Sequence, residues 1–94
     1  MGHAVTDNRS RSRYEVVLDG DVAGFAEYVD DGNSVVMPHT LVEHEHRGKG
    51  LAALLVRHAL DDLRSRGRTV VPVCWYVDHF IAGHPEYTDL VSGR

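Results

Sequence analysis

The sequence has little of what staples a small protein together. Its one cysteine, Cys74, excludes an internal disulfide framework and suits a reducing cytosol, so a cytoplasmic location is expected. No apolar run approaches the ~20 residues that a membrane-spanning helix requires, and no membrane partner is expected. Cationic charge is also short: 10 Lys and Arg stand against 14 Asp and Glu, for a net charge of -4. Affinity for a nucleic-acid backbone comes chiefly from clustered Lys and Arg, so no nucleic-acid partner is expected. The acidic balance does suit a basic partner, such as an amine or a Lys-bearing tail.

What is present fits one small soluble domain. A chain of 94 residues buries about 60–65% of its unfolded surface, which leaves a modest core and no room for a large second lobe. Hydrophobic residues at 43% and charged residues at 26% are globular values, not those of a disordered chain. Residues 1–13 are polar, carry Arg9, Arg11 and Arg13, and have no apolar segment behind them, unlike a secretory leader. We expect a flexible N-terminal arm over residues 1–12 and a single domain over residues 13–94.

Periodicity then gives the element order. Residues 13–18 (Arg-Tyr-Glu-Val-Val-Leu) form a candidate first strand, and Asp19-Gly20-Asp21 supplies a turn. Residues 22–29 alternate as a second strand, and Asp30-Asp31-Gly32-Asn33 is the clearest hairpin signal in the chain. A third strand over residues 34–42 contains Pro38, which has no N–H to donate and predicts a bulge or an edge position. Leu51, Ala52, Leu55, Val56, Ala59 and Leu63 make a helical stripe that ends near Gly67. Residues 69–75 (Thr-Val-Val-Pro-Val-Cys-Trp) read as a buried strand, and residues 76–82 as a short helix stopped by Gly83 and Pro85. The order β-β-β-α-β-α is that of an α/β (α+β) domain.

The chemistry concentrates where the third strand meets the long helix, through Glu43-His44-Glu45-His46 and then Arg47-Gly48-Lys49-Gly50. The first turn of a helix leaves N–H groups unpaired, and its dipole adds partial positive charge. Gly48 and Gly50 remove side chains that would keep a phosphate from the backbone, and Arg47 and Lys49 add formal charge. By itself this pattern also suits a plain tight turn. A Walker-type loop is excluded because Lys49 is followed by Gly50 and Leu51, not by Ser or Thr. A dinucleotide fingerprint is excluded because position 53 is Ala and no β-α-β unit surrounds the loop.

The run Arg47-Gly48-Lys49-Gly50-Leu51-Ala52 resembles the pyrophosphate loop of the GNAT N-acetyltransferases, written Gln/Arg-x-x-Gly-x-Gly/Ala. Arg47, Gly50 and Ala52 carry the match. In the alternative register Gly48 and Gly50 match, with Glu45 where Gln or Arg is usual. The likeness runs from about Tyr14 to Leu90 and is nearest the minimal single-domain branch of that superfamily. In that branch a His-Thr pair precedes the loop, matched by His39-Thr40, and a Cys-x-Tyr-Val segment follows, matched by Cys74-Trp75-Tyr76-Val77. A downstream Pro element corresponds loosely to His84-Pro85.

The resemblance implies a GNAT-like mixed, mostly antiparallel sheet with the pyrophosphate loop at the start of the main helix. It implies acetyl-CoA as co-substrate and transfer of an acetyl group to an amine, on a small molecule or a protein Lys. Thr40, Leu41 and Val42 would pair with the pantetheine arm, and a main-chain N–H near Val42 would polarise the thioester carbonyl. Residues 47–52 would hold the pyrophosphate, and Tyr76 would contact the thiol end. Cys74 and His39 are the candidate catalytic residues. Cys74 serves as a nucleophile that takes the acetyl group, as the acid for the departing thiolate, or simply as a small buried hydrophobe. His39 exchanges protons with it, or is a structural hydrogen-bonding residue. Glu27 or Glu43 is a further candidate base through water. Trp75 and Phe80 read as core.

His44 and His46 lie two apart and face the same way in an extended segment, but zinc wants three or four ligands, so no metal is expected. The competing function is a non-catalytic module that binds or senses CoA, since so small a chain has no evident acceptor-binding lobe. A monomer or weak dimer is expected.

Overall fold

The computed structural model describes residues 3–92. Five strands and two helices follow in the order β1 (His3–Asn8), β2 (Arg13–Leu18), β3 (Asp21–Asp30), β4 (Val35–Val42), α1 (Leu51–Ser65), β5 (Val70–Val71) and α2 (Trp75–Ala82). Short 3-10 turns occupy Arg9–Arg11, His44–His46 and Pro85–Leu90. The strands lie side by side in sequence order; β1 to β4 pair antiparallel, and β5 joins β4 in parallel. This is the mixed, mostly antiparallel sheet that the resemblance implies.

The expected loose arm over residues 1–12 is corrected by the structure. His3–Asn8 is an edge strand in full register with β2, from His3 opposite Leu18 to Asn8 opposite Arg13. It is polar because its inward partners are polar. Asp7 accepts a hydrogen bond from the Tyr28 hydroxyl at 2.6 Å and meets Arg66, just past the end of α1, at 3.0 Å. Residues 1 and 2 of the expected arm lie outside the described residues.

The second correction concerns residues 69–75. Only Val70 and Val71 form a strand, opposite Val35 and Val36. Pro72 has no N–H for the ladder, and the chain leaves β4 there. It returns once, where the Cys74 N–H donates to Met37 O at 2.8 Å, before α2 begins at Trp75, one residue earlier than expected.

Pro38 produces the bulge expected of it. Glu27 faces His39 and Val29 faces Val36, so two steps along β3 match three along β4, and the extra residue lies beside Pro38. Farther along, β3 and β4 approach closely. A Cβ on Gly24 would stand 2.7 Å from Leu41 O, so glycine is required there.

α1 buries Leu51, Leu55, Val56, Ala59, Leu60 and Leu63 against one face of the sheet. Leu55 and Leu60 are fully buried, each worth about 2 kcal/mol of apolar transfer. Past Ser65 the helix is closed by the Gly67 N–H on Arg64 O (3.0 Å) and the Arg68 N–H on Leu63 O (2.9 Å). Tyr14 of β2 anchors it from below, donating to Asp62 at 2.6 Å. That hydrogen bond marks the α1 face of the sheet. By register, Ala26 and Thr40 share the face with Tyr14.

Candidate active site

The site begins as a parting in the sheet. β4 is paired on both sides at Val35 and Val36, but beyond Met37 only β3 remains beside it. The Glu43 N–H donates to Ala23 O at 2.8 Å, which fixes the ladder's phase. Main-chain groups of His39 and Leu41 therefore turn to β3, and those of Thr40 and Val42 turn to the open side. Pro38 offers no N–H, so the bare edge presents two donors, the N–H groups of Thr40 and Val42. The Val42 carbonyl on this edge accepts from Arg47 Nε at 3.1 Å.

Into the parting opens a cleft of about 360 Å³, lined by residues 39–42, Arg47, Ala52, Trp75 and Tyr76. A second hollow of about 150 Å³ continues it toward the glycine loop, lined by Val42, His46, Arg47, Gly48, Gly50, residues 51–53 and Tyr76. Val42, Arg47, Ala52 and Tyr76 belong to both, so the two form one trough.

The loop end of the trough is built from backbone. Gly48 and Gly50 have φ of 83° and 75°, a left-handed conformation that costs other residues about 1–2 kcal/mol. A Cβ at either would meet nothing within 4 Å, so the requirement there is conformational, not spatial. These turns swing the chain straight into α1, whose first intrahelical bond is from the Leu54 N–H to Gly50 O at 3.1 Å. No side chain caps the helix, and Leu51, Ala52 and Ala53, whose N–H groups precede the first intrahelical bond, line the hollow. Among the described residues, Arg47 and Lys49 are exposed and make no ion pair with a carboxylate.

The predicted site residues are distributed unevenly. Thr40, Leu41, Val42, Arg47, Gly48, Gly50, Leu51, Ala52 and Tyr76 all line the trough, whereas Lys49 lines neither hollow. Tyr76 lies at the junction, and burial raises its phenol above the ordinary range, so it keeps its proton.

The structure does not bring Cys74 and His39 together. Cys74 is only 8% exposed, belongs to the core cluster, and its thiol donates to the Thr40 hydroxyl at 3.6 Å. It lines neither hollow. The alternation of β4 sends the His39 side chain to the face opposite Thr40, where its ring meets Phe25 edge-on at 6.1 Å. His39 nevertheless lines the cleft at the end farthest from the loop.

Three lining residues were not foreseen: Ala53 on the first turn of α1, His46 and Trp75. His46 contributes a buried Nδ1 with no hydrogen-bond partner among the described residues. Trp75, expected in the core, is 75% exposed on the cleft wall. The sequence signal for Trp75 was its place ahead of the helix's buried stripe, Val77, Phe80 and Ile81. Among the described residues, no group of three or more His, Cys, Asp or Glu gathers to hold a metal ion.

The site is thus a sheet split beside a glycine turn and an uncapped helix start. The model of the GCN5-related N-acetyl-transferase family matches residues 13–90, and the chain belongs to this family. It is 41% identical over 63 residues to a streptothricin acetyltransferase of Streptomyces lavendulae, covering 65% of this chain and 33% of that protein. The chain thus spans about a third of that relative's length. It is 34% identical over 85 residues to protein NATD1 of Bos taurus, covering 86% of this chain and 74% of the relative.

Among solved structures, a GCN5-like protein of Staphylococcus aureus superposes with a TM-score of 0.72 at 17% identity, covering 97% of this chain and 89% of that one. The ribosomal-protein-S18-alanine N-acetyltransferase of Escherichia coli superposes with a TM-score of 0.63 at 17% identity, over 88% of this chain and 53% of that one. At such identities the likeness is one of fold.

Proposed function

We propose that the protein is an acetyl-CoA-dependent N-acetyltransferase that passes the acetyl group directly to an amine. The observation that carries this reading is the continuous trough from the uncapped start of α1 to the bare edge of β4. The pyrophosphate of CoA lies on the N–H groups of residues 51–53, with Arg47 beside it and Lys49 adding charge from outside. The pantetheine arm runs along β4 and pairs with the Thr40 and Val42 edge groups.

The thioester then sits between β4 and the start of α2. Of the two edge N–H groups near Val42, Val42's own holds the arm and that of Thr40, toward the far end, polarises the carbonyl, a kind of contribution worth about 3–4 kcal/mol. The neutral amine nitrogen attacks the carbonyl carbon and forms a C–N bond. The C–S bond breaks, and the electron pair leaves on sulfur. Tyr76, protonated and touching both hollows, gives the departing thiolate its proton. The amine's extra proton passes to His39, or through it to water, at the far end of the cleft.

Direct transfer is preferred over an acetyl-Cys74 intermediate because the thiol is buried in the core and lines neither hollow. The streptothricin acetyltransferase and the ribosomal-protein acetyltransferase suggest amine acceptors on a small molecule or a protein terminus.

The test is a calorimetric titration with acetyl-CoA, followed by thiol release on adding an amine. Saturable binding lost in Gly50→Glu, together with amine-dependent thiol release, supports the proposal. Binding without thiol release across a broad amine panel would leave a CoA-binding module instead. No binding at all would refute both.

A further inference from the structure

Resting on that acetyl-transfer reading, we infer that the amine acceptor carries an aromatic body, which stacks on the exposed indole of Trp75 at the far mouth of the cleft. The inference starts from an anomaly. Four large apolar side chains are exposed among the described residues, and Trp75, at 75%, is the most exposed of them. Val73, two residues earlier, is the next at 62%. An indole so placed costs solubility and gives the core nothing.

Its position is specific. Tyr76 holds it edge-on, with ring centroids 5.8 Å apart and planes at 85°, and His79 lies 6.4 Å away on the next turn of α2. The ring thus stands on the lip of the trough, against Tyr76 and His79.

The trough has a direction. Its loop end is lined by Gly48, Gly50 and residues 51–53; its other end by His39 and Thr40 on β4 and by Trp75 on α2. A cofactor with its phosphates at the loop brings its thioester toward that second end. The acceptor must enter there, and the exposed surfaces that meet it are Trp75 and His39.

Charge narrows the chemistry. The cleft lining contains no carboxylate, and its one permanently charged side chain is the Arg47 cation. The chain's net charge of -4 draws cations from a distance, but salt screens that field beyond about 8–10 Å. Inside the mouth, a polycation would meet a cation and no counter-charge. A flat apolar body gains what the lining offers, namely two ring faces and the aliphatic side chains of Leu41 and Val42. Aromatic pairs of this kind add to simple area burial, so losing one is expected to weaken acceptor binding about tenfold.

The test compares 2-phenylethylamine, spermidine and Nα-acetyl-lysine amide, whose ε-amine is free, at saturating acetyl-CoA, by thiol release. Phenylethylamine is expected to give the highest kcat/KM. Trp75→Ala should raise its KM about tenfold and leave the Kd for acetyl-CoA within twofold, while Trp75→Phe restores most of the loss. Trp75 is the only tryptophan in the chain, so its emission should also shift to shorter wavelength when phenylethylamine enters.

A preference for spermidine, or a phenylethylamine KM unmoved by Trp75→Ala, would overturn the inference and leave the enzyme assignment standing. An equal loss of acetyl-CoA affinity in Trp75→Ala would also overturn it, by giving the indole to the cofactor. No thiol release with any of the three amines would instead defeat the acetyl-transfer reading beneath it.

Discussion

The two flanks of this domain are built to opposite rules. On the β1–β3 flank, polar groups are tied off. Asp7 takes the Tyr28 hydroxyl and Arg66, Asp62 takes the Tyr14 hydroxyl and Arg66, and Glu15 takes Arg13 at 2.7 Å. On the β4–α2 flank, groups are left open among the described residues: two edge N–H groups, three helix N–H groups, an unpartnered His46 Nδ1, two cations without a carboxylate partner and an exposed indole. Unpaired polar groups are costly when buried, so a fold keeps them only where a ligand or water completes them. The contrast marks the same trough independently of any motif.

Substitutions that break this contrast should have graded effects. Gly50→Glu combines a strained φ with a carboxylate aimed at the phosphate site. Acetyl-CoA affinity should fall at least ~1000-fold by calorimetry, about 4 kcal/mol, with the melting temperature only a few degrees lower. On the closed flank, Leu60→Ala removes a fully buried side chain under the sheet-facing side of α1. It should cost about 3 kcal/mol in urea unfolding and leave the affinity of the remaining folded protein unchanged. Tyr14→Phe strands the Asp62 carboxylate beside Arg66 and should cost about 1–2 kcal/mol.

The same tyrosines give the closed flank a pH dependence. Burial first, then the hydrogen bond to Asp7, pushes the Tyr28 phenol up to about 12, and burial with the Asp62 contact pushes Tyr14 up further. A folded-state value above the unfolded value of 10 means that the folded chain binds more protons at high pH. Stability contributed by these phenols is therefore whole below pH 10 and lost as the pH climbs toward 12. Thermal melts across pH 8–12 should show a flat stretch and then a fall, shallower in Tyr28→Phe.

The smallest effects should fall on the open flank. Arg47→Ala should weaken acetyl-CoA about fivefold, with the deficit shrinking in high salt, because an exposed charge is screened. Cys74→Ala should change kcat less than threefold if transfer is direct; a loss of ~100-fold would restore the acetyl-cysteine route.

Much of the closed flank's centre was legible from the sequence. The alternation of β2 and β3, the Asp-Gly turns and the leucine stripe of α1 all come from local patterns with one dry face. The bulge at Pro38 and the glycine turn at Gly48 and Gly50 were legible too, because each depends on one residue's own backbone chemistry. What escaped depended on distant partners. β1 has a single apolar core contact, Val5, and its register is set by Asp7 reaching Arg66, far along the chain. β5 looked longer because Val70 to Trp75 is almost wholly apolar, and only Pro72 marked where it leaves the sheet. For the site, the trough's lining was read nearly complete. The pairing of Cys74 with His39 failed because sequence distance does not tell on which face of β4 a side chain emerges.

β5 is held from both sides, by Val35 and Val36 on β4 and by the segment at Val91 and Ser92, whose Ser92 N–H donates to Val70 O at 2.8 Å. The hairpins β1 to β4 are contiguous and can close as soon as they emerge from a ribosome. The β5 segment that leads into α2 gains its second partner only with Ser92, near the other end of the sequence. The residues of most of the sheet are therefore made well before those that brace the α2 side of the trough.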